Sequence, residues 1–335
     1  MSTMPFFQPP LDPLPTDLSA RGQTVIVTGA SSGLGQEFCR QFLTRHVSTL
    51  VLAVRNIPKG EQAKAAILAD PEVQKLKIRP DVRVMRFDAA SYKNIHDFAT
   101  QVKQEFNQLH ILMLNAGANG LNFRRTEDGH EETVQVNHLA NALLYFELLP
   151  LLERTASSTG KPTRVSVTGS RMYDTGTLLK EPASTPPDHL LEFLDDKKNF
   201  KGFPRYGDTK LLILLLIHRL GKLYKSDKVI VNIFCPGLVD TPMTKDLPWF
   251  LRIAVAILGK VKGARKVEHG GWTGLNAALL VGPESHGQLI GDTTIEKIDD
   301  FYQSDNIKLL EDQVWQDTMG EVGKFSMVPE WAKGN

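Results

Sequence analysis

From Gln23 onward the chain alternates between two textures. Short β-branched runs, TVIVTG, STLVLAV, VRVMRFD, HILMLNAG, RVSVTGS and KVIVNIFCPG, are apolar almost without a break and end in Gly, Asp, Asn or Ser. Runs of that length and composition predict six strands buried on both faces. Between them, residues 35–45, 59–69, 92–106, 131–152 and 206–224 place apolar residues at helical spacing over the length a crossover needs. The alternation predicts an α/β fold: a doubly wound parallel sheet of about seven strands with helices on both faces, in a single domain. The seventh strand falls at GQLIGD, after a helix over 269–280. Residues 1–22 then read as an N-terminal extension, 23–292 as the main domain and 293–335 as a helical tail. Within the tail, LLEDQVWQDTMGEV forms one amphipathic helix whose Leu310, Val314 and Trp315 are expected to pack on the domain.

Composition narrows the class. The chain has 335 residues, 41% hydrophobic and 23% charged, with a formal net charge of +1. That balance is ordinary for a soluble globular protein and offers no basic surplus for nucleic acid. Two cysteines, Cys39 and Cys235, lie inside apolar runs, so they read as buried thiols in a reducing compartment, and the location expected is cytoplasmic. The first 22 residues are proline-rich, with no basic leader and no long apolar run, so neither a signal peptide nor a transmembrane anchor is expected there.

The first strand runs into TGASSGLG, residues 28–35, and straight on into QEFCRQFL. Strand, glycine turn and helix in that order suit a dinucleotide pyrophosphate: the glycines let the backbone approach closely, and the helix N-terminus presents free N–H groups. The amides from Gly29 through Ser31, Ser32, Gly33 and Leu34 to Gly35 are the candidate contacts. Their spacing, Gly-x3-Gly-x-Gly, resembles the short-chain dehydrogenase/reductase family. Its further motifs follow in order over residues 23 to about 292: Asp88 in RFDAA, Asn115-Ala116-Gly117, Asn137 in VQVNH, Ser170 in VTGS, Tyr206 and Lys210 in YGDTK, then Pro236-Gly237 with Val239 and Thr241 behind them. A Tyr and a Lys four residues apart share a face on many ordinary helices, and Asn137 alone reads as a helix-bending structural amide. The company of motifs points instead to catalysis.

The resemblance implies a Rossmann-type catalytic domain over 23–292 and an oxidoreductase acting on CH–OH or C=O groups. Ser170, Tyr206, Lys210 and Asn137 are its catalytic positions, and the other residues just named would bind the cofactor. Ketone reduction needs a proton donor at the carbonyl oxygen. A free tyrosine, with a pKa of about 10, is a poor donor at neutral pH; Lys210 and an oxidised nicotinamide are expected to lower it. Ser170 would share the same oxygen. By resemblance, Lys210 also holds the nicotinamide ribose, and Asn137 a water linking Lys210 to solvent. The second strand ends Val54-Arg55-Asn56, without the acid that NAD-preferring relatives place there. A guanidinium suits a 2′-phosphate, so NADP(H) is the cofactor expected.

Ser170 and Tyr206 are separated by residues 171–205, far more than in compact members, and a long insert in a compact domain is usually functional. It is expected to wall the substrate pocket and resembles the retinol-dehydrogenase-like branch. A second wall, 242–268, is apolar with a basic end: a lid, or else a helix lying on a membrane surface in peripheral contact. Together they suggest a bulky, largely apolar small molecule such as a steroid, retinoid, terpenoid or aromatic polyketide. The overall texture is similar to fungal enzymes of secondary metabolism. Two alternatives remain beside this reading: a redox-neutral step on the same scaffold (epimerase, dehydratase or cyclase), or a non-catalytic NADPH-binding sensor. Sugar epimerases of the family favour Gly-x2-Gly-x2-Gly, which Gly29, Gly33 and Gly35 do not match. A monomer or homodimer is expected, since the tail can cover the helix face that relatives use to associate.

Overall fold

The computed structural model describes residues 8–77, 79–179, 189–240 and 263–333. Strands β1 (Thr24–Thr28), β2 (Thr49–Val54), β3 (Asp81–Arg86), β4 (Ile111–Leu114), β5 (Thr163–Thr168), β6 (Val229–Cys235) and β7 (Leu289–Gly291) pair in parallel in one sheet, ordered 3-2-1-4-5-6-7. An eighth strand, β8 (Thr294–Ile295), adds antiparallel to β7 and was not foreseen, because two residues carry no alternation to read. All seven residues of β6 are buried, as are all four of β4. Central strands covered on both faces have no polar side to show, which is why their sequences are unbroken.

Helices α1 (Gly33–Thr44), α2 (Ile57–Leu68) and α3 (Tyr92–Glu105) cross between the first four strands. Helix α4 (Ala140–Thr159) follows a π-helical turn over Gln135–Leu139, and α5 (Leu190–Asp195) lies within the long insert. The chain then forms α6 (Phe203–Leu223), α7 (Val267–Leu275) and α8 (Asp305–Val322). The core divides into two clusters, one on each face of the sheet.

Helix α6 explains its own composition. Leu211 through Ile217 are buried without exception, because one side rests on the sheet and the other is covered by α8, packed against both α6 and α4. A helix apolar all round is a helix enclosed all round. Leu310, Val314 and Trp315 are buried as expected, each contributing about 1.5–3 kcal/mol by leaving water. Trp315 Nε1 donates to Ala332 O at 3.2 Å. The buried carboxylate of Glu311 takes His218 and Lys222 of α6 as partners, the latter at 2.8 Å. A further buried ion cluster joins the tail to the insert. His130 Nδ1 lies 2.7 Å from Asp195 at the end of α5, and its Nε2 lies 3.0 Å from Glu321 of α8.

Candidate active site

The sheet order reverses between β1 and β4, and the crevice beyond their carboxyl ends is where open α/β sheets take ligands. Thr28, the last residue of β1, holds that crevice open: its Oγ1 accepts the N–H groups of Asn115 and Ala116, both at 2.9 Å. Asn115 reaches back, donating from Nδ2 to Thr28 O at 3.0 Å and accepting Thr168 Oγ1 at 3.2 Å. Three strand ends are thereby locked together. Thr28 was missed in the sequence reading, although a hydroxyl directly before the glycine turn was the available signal.

The turn has the shape a pyrophosphate requires. Gly29 and Gly33 both have positive φ, +68° and +56°, and a Cβ on Gly35 would stand 2.3 Å from Gly29 O and 2.6 Å from Asn115 Nδ2. Ser32 occupies the N-cap of α1 in extended conformation but closes no cap bond with its side chain, and the first turn, which includes Leu34, carries no acid. The amides of that turn, next to Ser31 and Ser32, remain for an anion. The residues present therefore fit a dinucleotide phosphate.

At the end of β2, Arg55 and Asn56 are exposed. Asn56 is committed to structure, its Oδ1 capping α2 through Lys59 N at 2.9 Å. Asp88 is half-buried and accepts Ala90 N at 3.1 Å. Gly117 lies against Asn137 Oδ1, 3.3 Å from where its Cβ would be.

Ser170, Tyr206 and Lys210 come together. Ser170 leaves β5, its Oγ accepting Met172 N at 3.1 Å and hydrogen-bonded to the Tyr206 side chain. Lys210 Nζ donates to Thr168 O at 2.8 Å and lies 5.5 Å from the centre of the Tyr206 ring. Asn137 sits in the π-helical turn, a distortion often found at functional sites. Its amide is fully engaged: Nδ2 donates to Ala118 O at 2.9 Å and Thr209 Oγ1 at 3.0 Å, and Oδ1 accepts Ala118 N at 2.7 Å. It thus ties the loop after β4 to the helix turn that carries Lys210.

The lowering expected of Tyr206 depends on an oxidised nicotinamide as well as on Lys210; burial in the protein acts the other way. Burial pushes the Tyr206 phenol up to about 12, with the Ser170 hydrogen bond working the other way. Burial also pushes the Lys210 ammonium down to about 8. The Lys210 head is held on the Thr168 carbonyl rather than on the phenolic oxygen, and desolvation is the largest influence on both groups.

Two charged residues flanking Tyr206 were also missed. Arg205, 1% exposed, donates to Leu194 O at 3.0 Å and Asn199 O at 3.1 Å. Asp208, equally buried, accepts Thr177 N at 2.6 Å and Leu178 N at 3.0 Å. Both ends of the 171–205 insert are therefore anchored on the helix turn bearing Tyr206. Residues 180–188 of that insert, Thr241 and positions 242–262 of the second expected wall lie outside the described residues. Pro236, Gly237 and Val239 form the loop after β6, and Val239 pairs with Arg265 in an isolated parallel bridge.

Among the described residues no helix is long and apolar enough to cross a membrane, and no cluster of His, Cys, Asp or Glu has the makings of a metal site. A sequence model of the family described as short chain dehydrogenase matches residues 23–174. Short chain dehydrogenase macD of Penicillium terrestre is 40% identical over 322 residues, covering 96% of this chain and 97% of its own. Short chain dehydrogenase yanD of Aspergillus niger is likewise 40% identical, over 97% of this chain and 98% of its own. Among solved structures, the RhlG/NADP active-site complex of Pseudomonas aeruginosa superposes with a TM-score of 0.62 at 22% identity, covering 83% of this chain and 97% of that one. At that identity the likeness establishes the fold.

Proposed function

The chain belongs to the short-chain dehydrogenases, and from that premise we propose that it is an NADP(H)-dependent oxidoreductase interconverting a ketone or aldehyde and an alcohol on a bulky, largely apolar small molecule. The observation that carries this reading is the convergence of Ser170, Tyr206 and Lys210 at the carboxyl edge of the sheet, beside a glycine turn shaped for a dinucleotide.

The bound nicotinamide supplies or accepts the hydride. The protein's part is to move a proton and fix the reacting oxygen. Tyr206 is the general acid in reduction and the base in oxidation. Burial of the phenol works against that exchange, and the positive ring of an oxidised nicotinamide, with Lys210, would work for it by favouring the tyrosinate. Ser170, already bonded to the same phenol, gives the substrate oxygen a second partner where charge develops. Lys210 would hold the nicotinamide ribose, and its ammonium, lowered to about 8 by burial, can pass a proton near neutral pH. Asn137 holds the turn in which this relay sits. Gly29 to Gly35 would receive the pyrophosphate, Asp88 and the Asn115–Gly117 strand end the adenine side and the ring linkage, and Pro236 to Val239 the nicotinamide end.

Arg55, exposed beside a strand end with no acid, supports NADP(H) over NAD(H). The structural relative carrying NADP supports the cofactor class. The long insert fixed on Arg205 and Asp208 supports a shaped pocket for a large substrate, and the fungal sources of macD and yanD suit a tailoring step in secondary metabolism. The test is a fluorescence titration of the purified protein with NADPH and NADH, followed by NADPH consumption over a panel of apolar ketones. Tight NADPH binding with turnover of one ketone class is the expected result. No binding of either dinucleotide would overturn the reading.

A further inference from the structure

The residues before β1 reach across the molecule to the loop that follows β6. Gln8 grips Leu238 on both of its backbone groups: Nε2 donates to Leu238 O at 2.9 Å, and Oε1 accepts Leu238 N at 2.6 Å. The same Nε2 donates to Gly263 O at 3.1 Å, so one side chain ties together the two chain ends that flank residues 241–262. A primary amide carries a donor and an acceptor side by side, so it can satisfy the N–H and the C=O of a single residue at once.

Arg265 grips the loop from the other side. Its Nη1 donates to Pro236 O at 3.2 Å and its Nη2 to Pro9 O at 2.9 Å, while its backbone pairs with Leu238 O at 2.8 Å and receives Asp240 N at 3.1 Å. Gly237 lies between the two clamps. With φ +79°, it has no room for a Cβ, which would stand 2.1 Å from Gln8 Oε1 and 2.7 Å from Arg265 Nη1. Arg265 also pairs with Asp292 at 2.5 Å; Asp292 pairs with Arg171 at 2.7 Å, and Arg171 with Glu296 at 2.6 Å. Arg171 is the neighbour of Ser170, and its N–H rests on Cys235 Sγ at 3.3 Å.

We propose that Gln8, working with Arg265, is a positioning residue for dinucleotide binding: the N-terminal arm holds the Pro236–Asp240 loop in its binding shape and ties it through Asp292 and Arg171 to the strand end bearing Ser170. This rests on the cofactor reading above. A loop whose amides are fixed before the ligand arrives loses less freedom on binding, so the arm acts on affinity rather than on the chemical step.

The test compares the full chain with Gln8→Ala and with a deletion of residues 1–9. Three quantities are read: the Kd for NADPH by fluorescence, backbone hydrogen exchange of a peptide spanning residues 235–240 without dinucleotide, and kcat at saturating NADPH. In Gln8→Ala the Kd should rise about tenfold, exchange at Leu238 and its neighbours should accelerate, and kcat should stay within about twofold; the deletion should go at least as far. Gln8 lies outside the core, so the melting temperature should hardly move. If the unaltered chain binds NADPH and both variants bind it equally well, the inference is wrong while the cofactor reading stands. If the unaltered chain binds neither dinucleotide, the cofactor reading falls and takes the inference with it. A kcat that drops while Kd stays fixed would also overturn it, since the arm would then act on chemistry.

Discussion

The buried His130 cluster makes stability depend on pH in a direction that can be worked out. Burial alone would lower the imidazole, but Asp195 on one ring nitrogen and Glu321 on the other outweigh it and raise His130 from 6.5 to about 9. The folded state therefore binds a proton more tightly than the unfolded chain. The stabilisation is complete below pH 6.5 and is lost as pH rises through about 9. Two and a half pH units at ~1.36 kcal/mol each amount to about 3 kcal/mol. With an unfolding entropy of ~2.1 cal/mol/K per residue, this corresponds to roughly 4 °C in melting temperature for a chain of 335 residues. The assay is thermal unfolding of the protein and of His130→Gln at half-unit steps from pH 6 to 9.5. Glutamine cannot take the second proton, so the gap between the two curves should be about 4 °C at the acid end and close as pH rises. A gap of constant width across that range would refute the reasoning, whatever its size, because the ion cluster would then not be the source.

Three further outcomes are expected. Tyr206→Phe should lower turnover by about 10²–10⁴-fold while leaving NADPH affinity within about twofold, measured by steady-state kinetics and fluorescence titration; near-normal turnover would exclude Tyr206 as the proton donor. Arg55→Asp should weaken NADPH by about tenfold or more and NADH by far less, read as the ratio of the two Kd values. Gly35→Ala should cost about 1–3 kcal/mol of stability in denaturant unfolding and loosen dinucleotide binding as well, since the added carbon meets Gly29 O and Asn115 Nδ2 at 2.3 and 2.6 Å.

What the sequence disclosed was what is local. Parallel strands such as β4 and β6 are covered on both faces, so their burial is written as an uninterrupted apolar run. The glycine turn and the Tyr206–Lys210 pair are legible because each lies within one turn or one helical step. Thr28, Asp208 and Gln8 were not, because what gives them meaning is a partner far along the chain: Gln8 meets Leu238 across 230 positions. Arg205 was not either, because its partners are the backbone carbonyls of Leu194 and Asn199, which no side-chain pattern announces. The two-residue β8 was invisible for want of length. The π-helical turn over Gln135–Leu139 was invisible because no side-chain period distinguishes it from the α-helix that follows. The seat of the Lys210 head was illegible for a related reason. Spacing placed Lys210 on the same face as Tyr206, but whether its head meets the hydroxyl or the Thr168 carbonyl is decided by β5, a strand that ends well before the pair begins.

The enclosure of α6 has a bearing on how the protein is made. Synthesis proceeds from the N-terminus, so the helix that carries Tyr206 leaves the ribosome about eighty residues ahead of α8, the element that covers its outer face. For that interval the nascent chain displays a stripe of leucine and isoleucine with no cover of its own. Chains that stop short of Asp305 would carry the candidate site complete and still be prone to clump, and chaperone demand during expression should fall once Val322 has emerged.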